Sequence, residues 1–526
     1  MLRKINPLAK HCFLLLLAVS SAVLLVASYP LAEVSLFAWI ALIPLFLLIE
    51  ISTKKTSFFY SFIVGICFFG GILYWLAYVS VLGYSVLVVS LAFFFGAFGL
   101  CSYILLEKLR RTRWYAFSIF LLAALWVSLE YLRSILFTGF PWALLGYSQY
   151  RNPILIQIAD ITGPYGVSFV IVMSNILFYN CGRALFFEAV KRRNEADVFR
   201  ILRFQAIAAS VVITLVILYG YDVLRQQVTS ATAKISVVQG NIPQSKKWDP
   251  SYKDEIFDIY ETLTLRAAED RNDLIVWPET SVPGYMDEEY IRTRLRAISK
   301  RARTPLLLGA VTYEADGEDI DYYNSAVLYT PPGKIAREYR KIHLVPFGEY
   351  IPFERFIPFF RNYIDKPIGD YTAGDEWTVF EIVSDSETIN YSVLICFEDI
   401  FPQLVRRFAR KGADIAINMT NDAWFKESAE QLQHAQSSVF RAVENRIGIV
   451  RAANTGYSCY INPYGVIEGD IAGEETKRMY ITGYKTFLVK TTDRESLYTI
   501  VGDLFAVLCL LGTFTGAILT FSVRRT

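Results

Sequence analysis

The residue of this chain with the clearest chemical potential is Cys396, which ends an apolar run and stands directly before two carboxylates. The run Val393–Ile395 predicts a buried strand, so Cys396 is presented at a strand end, where a ligand can reach it. A free thiol has a pKa of about 8.5, so a nucleophilic cysteine needs a base and a nearby cation. The alternatives are a small core residue or half of a disulfide.

A candidate base lies in the segment Trp277–Ser281. A proline cannot continue a central strand, so Pro278 predicts that Glu279 stands where the preceding strand leaves its sheet. A carboxylate at a strand end among apolar residues is a candidate general base. The alternative is a glutamate in an exposed loop without a chemical role.

A candidate cation follows in the segment Tyr339–Tyr350, where Lys341 lies in a basic turn that runs into an apolar stretch. A lysine beside a thiol lowers the thiol pKa and can stabilise an oxyanion. The alternative is a solvated surface charge. Taken one by one, these residues leave the bland alternatives open.

Short apolar runs alternate with helical stretches around these three residues. The pattern predicts one α/β sandwich domain at residues 230–491. The predicted strands are Ile235–Val238, Leu274–Trp277, Leu306–Val311, Ala326–Tyr329, Val393–Cys396, Ile415–Asn418, Ile447–Ala452 and Ser458–Asn462, and the predicted helices are Tyr252–Asp270, Glu288–Arg303, Phe401–Lys411 and Leu432–Arg446.

The rest of the chain is strongly apolar. Of the 526 residues, 54% are hydrophobic and 19% are charged, whereas soluble domains have about 25% charged residues. A membrane span needs about 20 apolar residues, and about eight segments qualify. They are Cys12–Ser28, Val34–Ile51, Phe58–Tyr78, Ser85–Leu106, Trp114–Phe137, Val167–Phe187, Ile201–Tyr221 and Leu497–Val523. We therefore predict a polytopic α-helical membrane domain at residues 1–225 and a last span at 497–523.

The distribution of basic residues predicts the orientation of these spans, because Lys and Arg resist translocation. One set of short loops and termini collects nearly all of them, whereas the opposite short loops contain almost only Arg151. The collected residues are Arg3, Lys4, Lys10, Lys54, Lys55, Lys108, Arg110, Arg111, Arg113, Lys191, Arg192, Arg193, Arg200, Arg203, Arg524 and Arg525. We predict that both termini are cytoplasmic and that domain 230–491 lies outside.

The composition argues against several other classes of function. A net charge of +2 leaves no basic excess for binding nucleic acid. The seven cysteines include no CxxC pair and the chain has three histidines, so no metal site is expected.

Glu279, Lys341 and Cys396 resemble, in order and context, the Glu-Lys-Cys triad of the nitrilase (carbon–nitrogen hydrolase) superfamily. The resemblance spans domain 230–491 and rests on Val238–Gln244, Trp277–Thr280, Tyr339–Tyr350, Cys396–Glu398, Asn421–Phe425 and Arg451–Gly456. With its membrane spans and the segments Thr138–Trp142 and Leu145–Gln149, the chain is similar to the membrane-bound branch of this superfamily, the apolipoprotein N-acyltransferase family of Gram-negative bacteria.

The resemblance implies a nitrilase-like αββα sandwich and a transfer in two steps. An acyl chain would move from a phospholipid to Cys396 as a thioester, and then to the N-terminal α-amine of a diacylglyceryl-cysteine apolipoprotein. Glu279 would act as the base and Lys341 would face the oxyanion, without a cofactor. The expected location is the bacterial inner membrane, with the catalytic domain on the periplasmic side.

The resemblance also implies supporting residues. Glu349 and Glu398 would orient Lys341 and tune its charge, and Trp248 would lie near the acyl entrance. The backbone N–H of Phe397 would face the oxyanion. The family places a tyrosine at the position of Phe397, so a role for a hydroxyl is in doubt here.

The segment Phe347–Tyr371 carries more aromatic residues than a soluble loop of its length normally exposes. We predict a membrane-dipping arm or lid, because an acyl chain must be kept out of water on its way to the thiol. The candidate substrate-binding residues in it are Phe347, Tyr350, Phe356 and Phe359. The alternative is that each ring packs on the domain.

Two other functions remain open at this point. A membrane-anchored amidase would use the same triad with water as the acceptor, and a lipid- or lipoprotein-binding transporter component would carry a damaged triad. The many spans favour acyl transfer, because a thioester that awaits an amine must be protected from water. With the triad in place, a disulfide between Cys396 and Cys459 is not expected, and Asp399 has no predicted role.

Overall fold

The computed structural model describes residues 6–110, 112–185, 195–226, 229–317, 319–331, 333–350, 370–383, 387–472 and 477–522. The chain divides into two compact units. The helical unit comprises Met1–Ala77, Val81–Gln226 and Val501–Thr526, and the α/β unit comprises Tyr78–Ser80 and Gln227–Ile500. Phe356 and Phe359 of the predicted arm lie outside the described residues.

The helical unit contains ten named helices in its described part. They are α1 (Pro7–Ala27), α2 (Ile43–Ile51), α3 (Lys54–Ile72), α4 (Val81–Leu109), α5 (Ser118–Ile135), α6 (Pro153–Ile156), α7 (Ala159–Thr162), α8 (Pro164–Arg183), α9 (Glu195–Arg225) and, near the C-terminus, Leu504–Ser522. Close packing of α3 on α4 depends on a small residue at Gly65, where an added Cβ would lie 2.7 Å from Ala92 Cα.

Six helical segments among the described residues are long and apolar enough to cross a membrane, by length and composition. They are Pro7–Ala27, Lys54–Ile72, Val81–Leu109, Trp114–Ile135, Pro164–Arg183 and Val198–Arg225. These match six of the predicted spans.

The other two predicted spans coincide with shorter apolar helical segments, Ser35–Ile51 and Leu504–Thr520. The last predicted span starts at Leu497, whereas the structure divides this stretch into the helices Leu497–Val501 and Leu504–Ser522, because Gly502 adopts a φ of 64° between them. The predicted count of about eight spans is therefore supported only roughly.

The α/β unit is built on two six-stranded sheets. The strands are β1 (Thr232–Gln239), β2 (Leu274–Val276), β3 (Leu306–Asp316), β4 (Asp319–Thr330), β5 (Lys334–Arg340), β6 (Val379–Val383), β7 (Thr388–Ile395), β8 (Ile415–Thr420), β9 (Gly448–Ala453), β10 (Cys459–Ile461), β11 (Ile467–Asp470) and β12 (Gly483–Lys490). Their order is β12-β1-β2-β3-β4-β5 in the first sheet and β11-β10-β9-β8-β7-β6 in the second. In each sheet three neighbouring strands run parallel, β1 to β3 and β7 to β9.

The sheets face each other, with β1 near β9 and β4 near β7, and helices cover their outer faces. The helices of this unit are α10 (Gln244–Lys247), α11 (Lys253–Ala268), α12 (Glu289–Ala302), α13 (Pro402–Arg410), α14 (Glu430–Asn445) and α15 (Leu497–Val501), and the helix Leu504–Ser522 is α16. Alternate residues in the first half of β3, Leu306, Leu308 and Ala310, join the core beneath α11 and α12. The intervening residue, Leu307, is also fully buried, as expected for a strand covered on both faces. The predicted αββα sandwich is confirmed.

Candidate active site

Cys396 stands immediately after β7, at the start of a 3₁₀ helix, Cys396–Ile400. Its φ of 54° lies in the left-handed region, which is strained for a residue with a side chain and turns the thiol out of the line of the strand. The surroundings hold this backbone in place: Asn418 Nδ2 donates to the carbonyl of Cys396 at 3.0 Å. Cys396 and Cys459 are both free, so the disulfide alternative is excluded.

Strand β2 ends at Val276, and Trp277 and Pro278 separate it from Glu279. The Glu279 residue is 8% exposed. The exposed-loop alternative for Glu279 is therefore wrong. The turn that carries it presses against β3 at Gly309, where an added Cβ would lie 2.7 Å from Glu279 Cα and 2.5 Å from Thr280 N. Only glycine fits this approach, so Gly309 helps to set the position of the carboxylate.

Lys341 directly follows β5 and is 1% exposed, so it is not a solvated surface charge. Its Nζ lies 2.9 Å from Glu349 and 3.9 Å from Glu279 Oε1. The amide of Asn324 on β4 donates to Oε1 of both carboxylates, at 2.9 Å to Glu279 and 3.0 Å to Glu349. Strand ends from both sheets thus bring the predicted base, cation and cysteine into one site.

Opposing charges set the protonation of this site. Burial alone would lower the pKa of Lys341, but Glu349 and Glu279 outweigh it and raise that pKa, so the lysine stays charged. Burial and the charge of Glu279 raise the pKa of the Cys396 thiol, whereas Lys341 lowers it. At rest Cys396 is therefore a thiol, and it needs a base when it reacts.

Glu398 holds the loop that carries Lys341 through the backbone. Its carboxylate accepts hydrogen bonds from the N–H groups of Ile342 at 2.8 Å and His343 at 3.0 Å, and from the hydroxyl of Tyr339 at 2.9 Å. It also accepts from Ile395 N at 2.7 Å, just before the cysteine. Glu398 therefore ties the cysteine turn to the lysine turn, whereas Glu349 contacts the lysine itself.

Asp399, which has no role predicted from the sequence, is fully buried and joins three elements. Its carboxylate accepts from His434 Nε2 on α14 and from Arg451 Nη1 on β9, both at 2.7 Å, and from the hydroxyl of Ser438. These bonds anchor the 3₁₀ helix Cys396–Ile400 to the helix and strand beside it. The spacing of His434 and Ser438, one helical turn apart on α14, is the sequence signal that could have suggested this polar face.

His434 is held between acidic groups. Its Nδ1 lies 3.5 Å from Asp422 and 3.5 Å from Glu430. Burial lowers the pKa of His434, but the bond to Asp399 outweighs it and raises the pKa to about 10, so this histidine is charged. The ligand atoms of Asp422, Glu430 and His434 lie within 4.8 Å of one another, and by type they could hold a metal ion. The positive charges that face the carboxylates of Asp422 and Glu430 in this structure are those of His434 and Arg451.

Three of the predicted substrate-binding residues, Trp248, Phe347 and Tyr350, lie in the described part of the α/β unit. Trp248 and Phe347 are 48% and 50% exposed. The N–H of Phe347 donates to the carbonyl of Tyr350 at 2.8 Å, which forms a tight turn after Lys341. The ring of Phe397 packs on His343 and Phe401, with ring centroids 6.5 and 5.2 Å away.

Comparisons with known proteins identify the family. Residues 21–177 match the model of the apolipoprotein N-acyltransferase N-terminal domain, and residues 234–485 match that of carbon-nitrogen hydrolases. An apolipoprotein N-acyltransferase of Geobacter metallireducens is 37% identical over 513 residues, which cover 96% of this chain and 95% of that protein. This chain belongs to the apolipoprotein N-acyltransferase family. Apolipoprotein N-acyltransferase 1 of Treponema denticola is 28% identical over 533 residues, with 94% of each chain covered.

Among solved structures, a variant of an amidase of the nitrilase superfamily from Nesterenkonia AN1 is similar, at 19% identity and a TM-score of 0.36. The match covers 52% of this chain and 96% of the amidase chain. Membership of the acyltransferase family makes this chain a bacterial membrane enzyme and does not favour the amidase alternative.

Proposed function

We propose that this enzyme moves an acyl chain from a phospholipid, through a thioester on Cys396, to the N-terminal α-amine of diacylglyceryl-cysteine apolipoproteins. The observation that carries the proposal is the meeting of Glu279, Lys341 and Cys396 at one site, in a chain whose described residues include six helices long and apolar enough to cross a membrane. The names of the relatives support the same acceptor and the same reaction class.

In the first step Glu279 takes the proton of the Cys396 thiol, and the sulfur attacks the ester carbonyl of the donor. A C–S bond forms, and the carbonyl oxygen becomes an oxyanion that faces Lys341 and the backbone N–H of Phe397. The ester C–O bond then breaks. Glu279 returns its proton to the departing oxygen, so that a lysophospholipid leaves and the acyl chain stays on sulfur.

In the second step the α-amine of the apolipoprotein attacks the thioester. Its nitrogen forms the amide bond and gives a proton to Glu279, while the C–S bond breaks. The proton passes to the sulfur of Cys396, which restores the thiol. No redox step or external reactant is needed, and the single carboxylate serves both steps.

The supporting carboxylates have different tasks in this scheme. Glu349 holds the ammonium of Lys341, consistent with their 2.9 Å contact. Glu398 fixes the turn after Lys341 and the turn of Cys396 through backbone hydrogen bonds. Together they keep the cation aimed at the reacting carbonyl, which is where fixed charge contributes most to catalysis.

The exposed aromatic residues are the proposed contacts for the acyl chain. Moving a chain of about 16 carbons into water costs about 12 kcal/mol, so the enzyme must offer an apolar path. Trp248, Phe347 and Tyr350, with Phe356 and Phe359, are our candidates for that path, since the first two expose about half of their surface.

The proposed location is the inner membrane with the α/β unit on the periplasmic side and both termini in the cytoplasm. The support is the collection of Lys and Arg in one set of short loops. Labelling of single cysteines placed in those loops with a membrane-impermeant reagent tests it; labelling from outside would contradict the orientation.

The reaction is tested with purified full-length enzyme, a phospholipid of defined acyl chain and a diacylated lipopeptide. We expect a triacylated peptide with the wild type and none with Cys396→Ala. The same yield from both proteins would contradict the nucleophile, and release of free fatty acid in place of the acylated peptide would favour hydrolysis.

A further inference from the structure

Lys247 is a second buried lysine in the candidate site. It ends α10, is 4% exposed and donates one hydrogen bond, 2.9 Å long, to the carbonyl oxygen of Glu279. Within the described ranges it forms no ion pair with a carboxylate, in contrast to Lys341. An ammonium buried without a carboxylate partner is costly, so its retention calls for a specific role.

The charges around Lys247 are those of the reacting groups. Burial lowers the pKa of Lys247 to about 8, and the negative charges of Glu279 and Cys396 raise it. The charged and hydrogen-bonding groups that face the thiol are Glu279 after β2, Lys341 after β5, Thr420 at the end of β8 and Asp422 just beyond it, with Lys247 on α10.

The carboxylates of Glu279 and Glu349 both lie near Lys341, at 3.9 and 2.9 Å from its ammonium. A thiolate formed beside Glu279 would add negative charge in a poorly hydrated site. The ammonium of Lys247 is a second positive charge next to the groups that take part in this step.

We propose that Lys247 is a further positioning residue of the reaction, whose ammonium fixes the turn of Glu279 through its carbonyl and stabilises the thiolate of Cys396 by its charge. It acts through Glu279 and through the field at the sulfur, and it does not replace Lys341. This inference rests on the proposed function.

The test measures how readily Cys396 ionises. Full-length enzyme in detergent is alkylated with iodoacetamide at about pH 7, below the pKa of about 8 of Lys247, so that its ammonium is charged. The rate at Cys396 is followed by mass spectrometry of its peptide, because thiolate is the reactive form. The variants are Lys247→Met, which loses charge and hydrogen bond, Lys247→Gln, which loses only the charge, and Lys247→Arg, which keeps the charge.

The neighbouring Lys246 provides a matched control. Its side chain is 36% exposed and pairs with Glu255 at 3.1 Å, so Lys246→Met removes the same charge one residue away without touching the site. A salt bridge this exposed contributes little.

We expect the alkylation rate at about pH 7 to fall by about 10-fold in Lys247→Met and Lys247→Gln, because the thiolate fraction falls about tenfold for each unit by which the thiol pKa rises. The rate should stay near the wild-type value in Lys247→Arg and Lys246→Met. Equal rates in all proteins would overturn the inference. So would a loss of rate in Lys247→Met alone, because the hydrogen bond and not the charge would then matter.

The same preparations, incubated with phospholipid, separate this inference from the proposed function. A wild type that gains no acyl adduct on Cys396 would contradict the proposed function. If the wild type is acylated and the Lys247 variants react with iodoacetamide at the wild-type rate, only the role of Lys247 is contradicted.

Discussion

The ammonium of Lys341 lies 2.9 Å from the carboxylate of Glu349. The corresponding distance to Glu279 Oε1 is 3.9 Å, so the lysine is paired with the carboxylate that we do not assign as the base. The side-chain amide of Asn324 donates a hydrogen bond to each of the two carboxylates. In the proposed mechanism Glu279 exchanges protons with the sulfur, while Glu349 holds the cation.

This division predicts the effect of Glu349→Gln. Without its closest anion, Lys341 should turn to Glu279 and neutralise the base. We expect acylation of Cys396 to slow by about 10- to 100-fold, the scale of losing one oriented charge near an oxyanion, in a single-turnover assay by intact-protein mass. Glu314→Gln, which removes an exposed partner of Arg340, is the control. Wild-type rates in Glu349→Gln would show that the pair is dispensable.

The thiol should respond in opposite directions to its two charged neighbours. Glu279 raises the pKa of Cys396 and Lys341 lowers it. We therefore expect Glu279→Gln to lower the midpoint of iodoacetamide alkylation and Lys341→Met to raise it, each by about 1 unit. Acylation by phospholipid should nevertheless fall in both variants, because one lacks the base and the other the oxyanion partner. Midpoints that move in the same direction would refute this electrostatic account.

Asp399 should be a determinant of stability. Asp399→Asn leaves the buried charges of His434 and Arg451 without their shared carboxylate. Removing one partner of a buried ion pair typically costs about 3 to 5 kcal/mol, so we expect a loss of about 3 kcal/mol in the free energy of unfolding, measured by denaturant titration in detergent. The exposed pair of Glu289 with Arg292 gives the control, Glu289→Gln, with an expected change below about 0.5 kcal/mol. Equal effects would show that the burial of Asp399 has no energetic weight.

Gly309→Ala should damage the site without a change in any charged residue. The added Cβ would lie 2.7 Å from Glu279 Cα, so the turn of the base must move. A displacement of about 1 Å of a catalytic group can lower a rate by about 100-fold. The control is Gly182→Ala, where no atom lies within 4 Å of the added carbon. Unimpaired acylation in Gly309→Ala would mean that the position of Glu279 tolerates movement.

The sequence predicted the central strands of the α/β unit and missed its edges. β5, β6, β11 and β12 are the four outermost strands of the two sheets, and none was predicted. The pattern of β5 explains why: most of its residues are exposed, so it lacks the continuous apolar run by which a strand buried on both faces is found. The four predicted helices match α11, α12, α13 and α14 to within two residues at each end, whereas α10 was not predicted.

The site residues that could be predicted are those with a reactive side chain at the end of a predicted strand. Cys396, Glu279 and Lys341 stand at strand ends and carry reactive groups, and the structure brings them together. Asn324 and Lys247 were missed, because an amide in a strand and a lysine beside another lysine signal nothing until the fold places them against Glu279.

The acyl-enzyme is the intermediate on which the proposed mechanism depends most directly. Full-length wild type incubated with a single defined phospholipid, without any acceptor, should gain the mass of one acyl group, located on the Cys396 peptide and removed by hydroxylamine as a thioester is. Cys396→Ala should gain none. An adduct that persists in Cys396→Ala, or a wild type that acylates the lipopeptide without ever carrying the acyl group, would contradict the central claim.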